Sequence, residues 1–329
     1  MVKEKKKNVL ITGVAGFVGS NFAKRLLNDG YSVIGIDNLS QSNKKSIRGF
    51  EKIGKFDFFK ADVRRYEDIK QIVKRKKIDY IVHLAAFKIP RYGNAMDTLM
   101  VNSKGTENML EIATEKDAKL VFSSTSDVYG KNTELPFSET SNLVLGAPTV
   151  RRWAYASSKM FDEHLCFAYQ EKYGTKMTVL RFFGGYGPNQ NTTWWGGPQS
   201  VFIDCALKNK AITLHGDGSQ TRSFTFIDDM ARGVQLAMEK RASTGEILNI
   251  GNNREISIKE LANMIWGRIR DTNPKIKCLA YDKISKGYED VVRRIPDIRK
   301  SQKILGFKAG VQLEQGLPLT IDWQRSVTK

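Results

Sequence analysis

Residues 8–20 read NVLITGVAGFVGS, and the charged, amphipathic run NFAKRLLN follows at 21–28. The apolar, β-branched start has the character of a buried strand, and the run after it has helical period. Three glycines lie at the junction, each with a physical reason. Gly13 permits a tight turn, Gly16 lets backbone N–H groups approach an anion, and Gly19 lets the helix pack closely on the sheet, with the helix N-terminus favouring negative charge. The spacing is G-x-x-G-x-x-G, one residue longer than the G-x-G-x-x-G fingerprint, so its strand-turn-helix context matters. That context is present, and the turn predicts a pyrophosphate site.

The same rhythm continues. Short apolar runs at 8–12, 32–36, 56–60, 80–84, 120–124 and 177–182 predict strands, and helix-period segments at 17–28, 66–76, 96–114 and 156–172 alternate with them. This alternation predicts an α/β fold, a doubly wound parallel sheet of Rossmann type with helices on both faces. After Gly184 the pattern changes to a loop containing Trp194, Trp195, Gly196, Gly197 and Pro198, then to mixed short elements. The expected organisation is a cofactor domain at 1–183, with 225–250 packing back on it, and a smaller substrate-binding region at 184–329, the two enclosing a cleft.

Composition narrows the class. Cys166, Cys205 and Cys278 have no paired spacing, which suggests neither a disulfide framework nor a metal site and fits a reducing cytoplasm. Lys3, Lys5, Lys6 and Lys7 before an apolar run imitate a secretory signal, but the regular glycines and the amphipathic segment after them favour strand-turn-helix. No stretch approaches the roughly 20 apolar residues of a membrane span. With 53 basic and 35 acidic residues the formal charge is +18. The lysines are scattered over most helices, so a solvated basic surface is expected, with neither nucleic acid nor membrane as partner.

Asp37 closes the second strand about 20 residues beyond the glycine turn, where a carboxylate accepts ribose hydroxyls and repels a 2′-phosphate. NAD is therefore expected over NADP, although Lys44, Lys45 and Arg48 follow soon after. Asp62-Val63, ending the third strand, is placed to contact the adenine amino group. Tyr155 and Lys159 stand one helical turn apart and share a face. A tyrosine acting as a base near neutral pH must drop about 3 units from its ordinary pKa of about 10, roughly 4 kcal/mol of phenolate stabilisation. An adjacent ammonium and a positively charged nicotinamide supply it. Thr125, in SSTSD at the carboxyl end of the fifth strand, can hold the substrate oxygen whose proton Tyr155 removes.

With these motifs the chain resembles the extended short-chain dehydrogenases that act as nucleotide-sugar epimerases, dehydratases and decarboxylases. The resemblance spans nearly the whole chain: TGVAGFVGS, Asp37-Asn38, Asp62-Val63, His83-Leu-Ala-Ala86, Asn102 in VNSKGT, SSTSDVYG, Tyr155-Ala-Ser-Ser-Lys159, LRFFGGYGP, GDGSQTRSFTFIDD and RRIPDI. It implies Thr125, Tyr155 and Lys159 as catalytic residues, with Asp127 beside them. It implies a cofactor site of Gly13, Gly16, Phe17, Val18, Gly19, Asp37, Asn38, Asp62, Val63, Leu84, Ala85, Ala86 and Asn102, joined by Tyr155 and Lys159. Arg222 and Arg294 are implied at the nucleotide diphosphate, as two guanidinium groups able to reach phosphate oxygens would suggest independently. Ser126, Lys88 and Trp195 complete the expected substrate contacts. Lys88 resembles a lysine of UDP-galactose 4-epimerases, whereas Gly184 stands where many members have asparagine.

The implied chemistry is oxidation at C4 of a nucleotide-activated sugar to a bound ketone, most consistent with a UDP-sugar. The residues lean to 4-epimerisation, then to decarboxylation of a UDP-glucuronate, then to 4,6-dehydration. Asp127, where dehydratases and decarboxylases carry an acid, Arg152-Trp153 and GYEDVVRRIPD favour the latter two; Lys88, Gly184 and the short Asp side chain favour the first. A non-catalytic RNA-binding member of the fold is the rival of another class, and no hydrolase elbow or P-loop is visible. Apolar residues on more than one face of the 96–114 and 156–172 helices predict a homodimer.

Overall fold

The computed structural model describes residues 7–88, 95–283 and 289–328. Seven parallel strands form one sheet in the order β3-β2-β1-β4-β5-β6-β11. They are β1 (Asn8–Thr12), β2 (Ser32–Asp37), β3 (Phe56–Lys60), β4 (Tyr80–His83), β5 (Lys119–Thr125), β6 (Met177–Phe182) and β11 (Ile247–Ile250). β2 and β5 are buried along their whole length, as expected of strands covered on both faces. Strand order reverses beside β1, so a crevice opens outside the carboxyl ends of β1 and β4, where doubly wound sheets bind ligands.

Four helices lie between the strands of the first half: α1 (Phe17–Asn28), α2 (Tyr66–Val73), α3 (Ala95–Glu115) and α4 (Trp153–Tyr173). Gly16 caps α1, and Gly174 ends α4 in the left-handed conformation, with φ 69°. α4 buries Ser158, Lys159, Asp162 and Glu163, so its inner side is polar and its amphipathic pattern weak. It begins three residues earlier than the period suggested, at Trp153, which is buried.

The remaining elements are β7 (Gly185–Tyr186), α5 (Pro198–Leu207), β8 (Ile212–His215), β9 (Thr221–Ser223), β10 (Thr225–Phe226), α6 (Ile227–Glu239), β12 (Glu255–Ser257), α7 (Ile258–Ile269), β13 (Ile276–Leu279), α8 (Arg299–Leu305) and α9 (Leu313–Val327). Three two-stranded pairs, β10-β7, β12-β9 and β13-β8, stand apart from the main sheet. α6 packs on α1, and β11 extends the main sheet, so 227–250 lies with the first half of the chain. One hydrophobic cluster runs from Val9 and Phe22 through Phe202 and Leu214 to Trp266 and Leu317, joining both regions. The chain returns once more to the sheet end: Phe137 N–H donates to Ile295 O (2.9 Å) and Asp297 N–H to Phe137 O (2.8 Å). That return brings 290–294 to the crevice. Among the described residues, no helix is long and apolar enough to cross a membrane.

Candidate active site

A cleft of about 1040 Å³ runs from Asp37 and Lys45 past Gly13, Ala85 and Thr125 to Trp194 and Arg222. Its floor at one end is the glycine turn. Gly13 has φ 70°, and a Cβ there would lie 2.8 Å from Ala85 N; a Cβ on Gly19 would lie 2.1 Å from Gly13 O. Both places are closed to any side chain, so the backbone N–H groups of the α1 N-terminus stay open to an anion.

Asp37 is fixed as an acceptor at the far end. Its Oδ2 accepts from Ala15 N–H (3.0 Å), and its Oδ1 accepts from Leu39 N–H and the Ser42 hydroxyl (both 2.8 Å). A carboxylate held this way suits ribose hydroxyls and opposes a 2′-phosphate. Asp62 faces a neighbouring hollow with Asn38 and Lys60. Arg64 clamps it through Nε (3.0 Å) and Nη2 (2.7 Å), and these bonds hold its pKa down at about 2. Asn102 does not line the cleft wall but fixes it. Its Oδ1 accepts from Phe87 N–H (2.8 Å), and its Nδ2 donates to Phe87 O (3.2 Å) and Ser158 Oγ (2.9 Å), tying the loop after β4 to α4. Phe17, Val18, Val63, Leu84 and Ala86 line the cleft between these points.

At the centre, the Thr125 hydroxyl accepts from Asp127 N–H (3.1 Å) and hydrogen-bonds Tyr155. Burial, Asp127 and Asp162 push the Tyr155 phenol above its ordinary range, with Thr125 working against them. Lys159 lies deeper, its ammonium 4.5 Å from the Phe122 ring centroid and without a hydrogen-bond partner among the described residues. The glycine cradle, the fixed Asp37 acceptor and this unpartnered buried nitrogen together fit a dinucleotide cofactor, which Lys159 would help to hold.

The opposite wall is cationic. Arg294 Nη1 lies 2.7 Å from Asp127 Oδ1, and Arg152 Nη2 3.9 Å from the same oxygen. Arg152 Nη1 and Arg222 Nη2 each approach Asp290 Oδ1 to 2.9 Å. Burial pushes the Asp290 carboxyl up, but Arg222 and Arg152 more than reverse it and hold it below the usual range. Burial and Arg294 push Arg222 down to about 10. Ser126 Oγ is 3.5 Å from Arg294 Nη1. Lys88 opens onto the cleft, where surrounding protein lowers its pKa and Asp127 raises it. Trp195 meets Phe87 edge-on at 5.5 Å on the cleft wall, whereas Trp194 stacks on His215 at 4.6 Å and covers the core.

Sequence reading named most of these groups, but not Asp290 as the bridge between Arg152 and Arg222, nor Phe87 and Asp162. Asp290 sits in the GYEDVV run, and only the chain return beside Phe137 brings it here.

Comparison with known proteins fits this geometry. The family model for GDP-mannose 4,6 dehydratase matches residues 10–320. The chain belongs to that family, within the extended short-chain dehydrogenases. It is 34% identical over 325 residues to a UDP-N-acetyl-α-D-glucosaminuronate decarboxylase of Bacillus cytotoxicus, covering 98% of this chain and 99% of that one. Its fold matches UDP-glucose 4-epimerase of Thermotoga maritima with UDP-glucose at a TM-score of 0.86 and 29% identity, over 98% and 100% of the two chains. It matches UDP-glucuronic acid 4-epimerase of Bacillus cereus, in complex with UDP-glucuronic acid and NAD, at 0.85 and 28%, over 97% and 99%. The family member is thus an NAD-dependent enzyme of nucleotide-sugar chemistry.

Proposed function

We propose that the chain carries a UDP-linked uronic acid through a 4-ketone and releases C6 as carbon dioxide. The observation that carries this reading is the Asp127–Arg294 pair, with Arg152 beside it, two residues beyond Thr125. The short Asp side chain counted against decarboxylation in the sequence. In the fold, Arg294 and Arg152 approach the same oxygen of Asp127, and cationic groups so close to Thr125 suit a C6 carboxylate. Support also comes from the B. cytotoxicus decarboxylase.

NAD, when bound, supplies the acceptor for the C4 hydride and returns it at the end of the cycle. Tyr155 takes the O4 proton while Thr125 holds that oxygen. The product is a β-keto acid. Its C5–C6 bond breaks, the electron pair moves toward O4, and the protonated Tyr155 and Thr125 stabilise the enolate that forms. C5 then takes a proton from solvent, and after the hydride returns to C4 the O4 oxygen takes back the proton held by Tyr155. Arg222 holds the diphosphate.

4-Epimerisation is the second reading, favoured by Lys88 beside Asp127 in the cleft and by the two epimerase neighbours. The test is incubation with NAD and a panel of UDP-hexoses and UDP-uronates, read by product mass. Loss of carbon dioxide from a uronate supports the proposal; unchanged mass with inverted C4 on every substrate turned over replaces it with the second reading.

We propose a cytoplasmic homodimer joined through α3 and α4, whose Met96, Met100 and Phe161 are 60%, 51% and 54% exposed. Light scattering at micromolar concentration checks this, and a monomer refutes it.

A further inference from the structure

α4 carries a carboxylate one turn beyond Lys159 that the chemistry above does not use. Asp162 is fully buried, and neither its carboxylate oxygens nor the Lys159 nitrogen has a hydrogen-bond partner among the described residues, so two unpaired groups of opposite sign lie one turn apart on one helix. Lys159 is 1% exposed, and burial favours its neutral amine. A neutral amine does nothing for a phenolate. If Lys159 is to lower the barrier to proton loss from Tyr155, something must keep it charged.

The anionic candidates around it are few. On α4, Glu163 is engaged by Arg181 of β6 at 2.7 Å and by the Ser124 hydroxyl of β5. The Cys166 thiol is pushed well above its ordinary pKa by burial and stays neutral. From β4, burial and Lys159 hold His83 neutral at about 3, its Nδ1 2.6 Å from Thr12 Oγ1. β5 offers the ring face of Phe122. Tyr155 also faces Asp162. Among the described residues, Asp162 is the carboxylate near Lys159 that no cation engages; burial pushes it up to about 6, and Lys159 works against that rise.

We propose that Asp162 is the positioning residue that keeps Lys159 protonated, and so sets the pH at which Tyr155 can take the sugar proton. This rests on Tyr155 being the base for O4, whatever becomes of C6. Asp162 also acts directly on Tyr155, in the opposite sense, because its negative charge disfavours the phenolate. The two effects have opposite signs, so the direction of the shift reports the route: upward through Lys159, downward through the phenol directly.

The experiment compares the pH profiles of turnover for the full-length wild type, Asp162→Asn and Asp162→Glu with NAD and whichever UDP-sugar is consumed. NAD binding and thermal melting serve as controls for folding, and Asp162→Ser stands in should the asparagine variant fail to fold. The expected result for Asp162→Asn is a rise of about one to three pH units in the apparent pKa of the catalytic base. Turnover near neutrality falls about tenfold or more, and Asp162→Glu restores the profile. A profile that is unchanged, or shifted downward, overturns the proposal. Tyr155→Phe separates the two claims: if it retains turnover, the base assignment fails and the proposal with it. If it is inactive while Asp162→Asn keeps the wild-type profile, only the role of Asp162 fails.

Discussion

Replacing Glu163 with alanine removes the partner of a cation that has nowhere else to go. Arg181 and Glu163 have side chains only 4% and 5% exposed, joined through Nε at 3.0 Å and Nη2 at 2.7 Å. The Ser124 hydroxyl adds a third strand to the knot, so β5, β6 and α4 meet at Glu163. Breaking a buried pair from one side costs about 3–5 kcal/mol, because the remaining charge is left without a partner in a poorly solvating place. Two contacts survive in Glu163→Ala: Arg181 Nη1 still donates to Glu139 O at 3.2 Å, and the guanidinium still lies 4.9 Å from the Tyr129 ring centroid. A cation over a desolvated ring is worth up to about 2 kcal/mol, so the loss belongs near 3 kcal/mol, more than a hundredfold in the unfolding equilibrium. Urea unfolding of the two proteins, fitted with a common slope, measures it. The double variant Glu163→Leu, Arg181→Met should recover most of the loss, since the penalty comes from the orphaned charge and not from missing attraction. A Glu163→Ala loss below about 1 kcal/mol, or a double variant no more stable than the single one, refutes the reasoning.

Tyr155→Phe should abolish turnover while NAD still binds, as the ring keeps its packing and only the proton acceptor disappears; equilibrium dialysis with NAD beside a turnover assay checks both halves. Gly184→Asn should destabilise the fold by about 1–3 kcal/mol in urea, because a Cβ at 184 would lie 2.8 Å from the Ser223 carbonyl. Asp62 is held at about 2 by its hydrogen bonds to Arg64, below its ordinary 3.8. The stability it contributes is therefore complete above pH 3.8 and lost as pH falls through 2, and Asp62→Asn should flatten the melting temperature across that window.

The glycine turn, the strand rhythm and the Tyr155–Lys159 spacing are local: each follows from backbone sterics or helical period within a few residues. They pointed to the doubly wound sheet and to a dinucleotide site without reference to the rest of the chain. α4 was legible only in part, because its inner side carries Ser158, Lys159, Asp162 and Glu163 where the helical period asks for apolar residues. Burial of those groups answers to partners on other strands, and a linear pattern does not contain them. Asn102 illustrates the same division. Its motif marked it as belonging to the cofactor site, yet in the fold its amide clamps Phe87 and Ser158. The cationic wall came wholly from tertiary structure: Arg152, Arg222 and Arg294 lie up to 142 residues apart in sequence, and meet at Asp290 and Asp127 because 290–294 returns to the sheet end beside Phe137. The resemblance put Arg222 and Arg294 together at a diphosphate and named Arg152 apart from them. Only long-range packing could show two of them on one oxygen of Asp127, because ion pairing depends on distance in space and the chain encodes that distance nowhere locally.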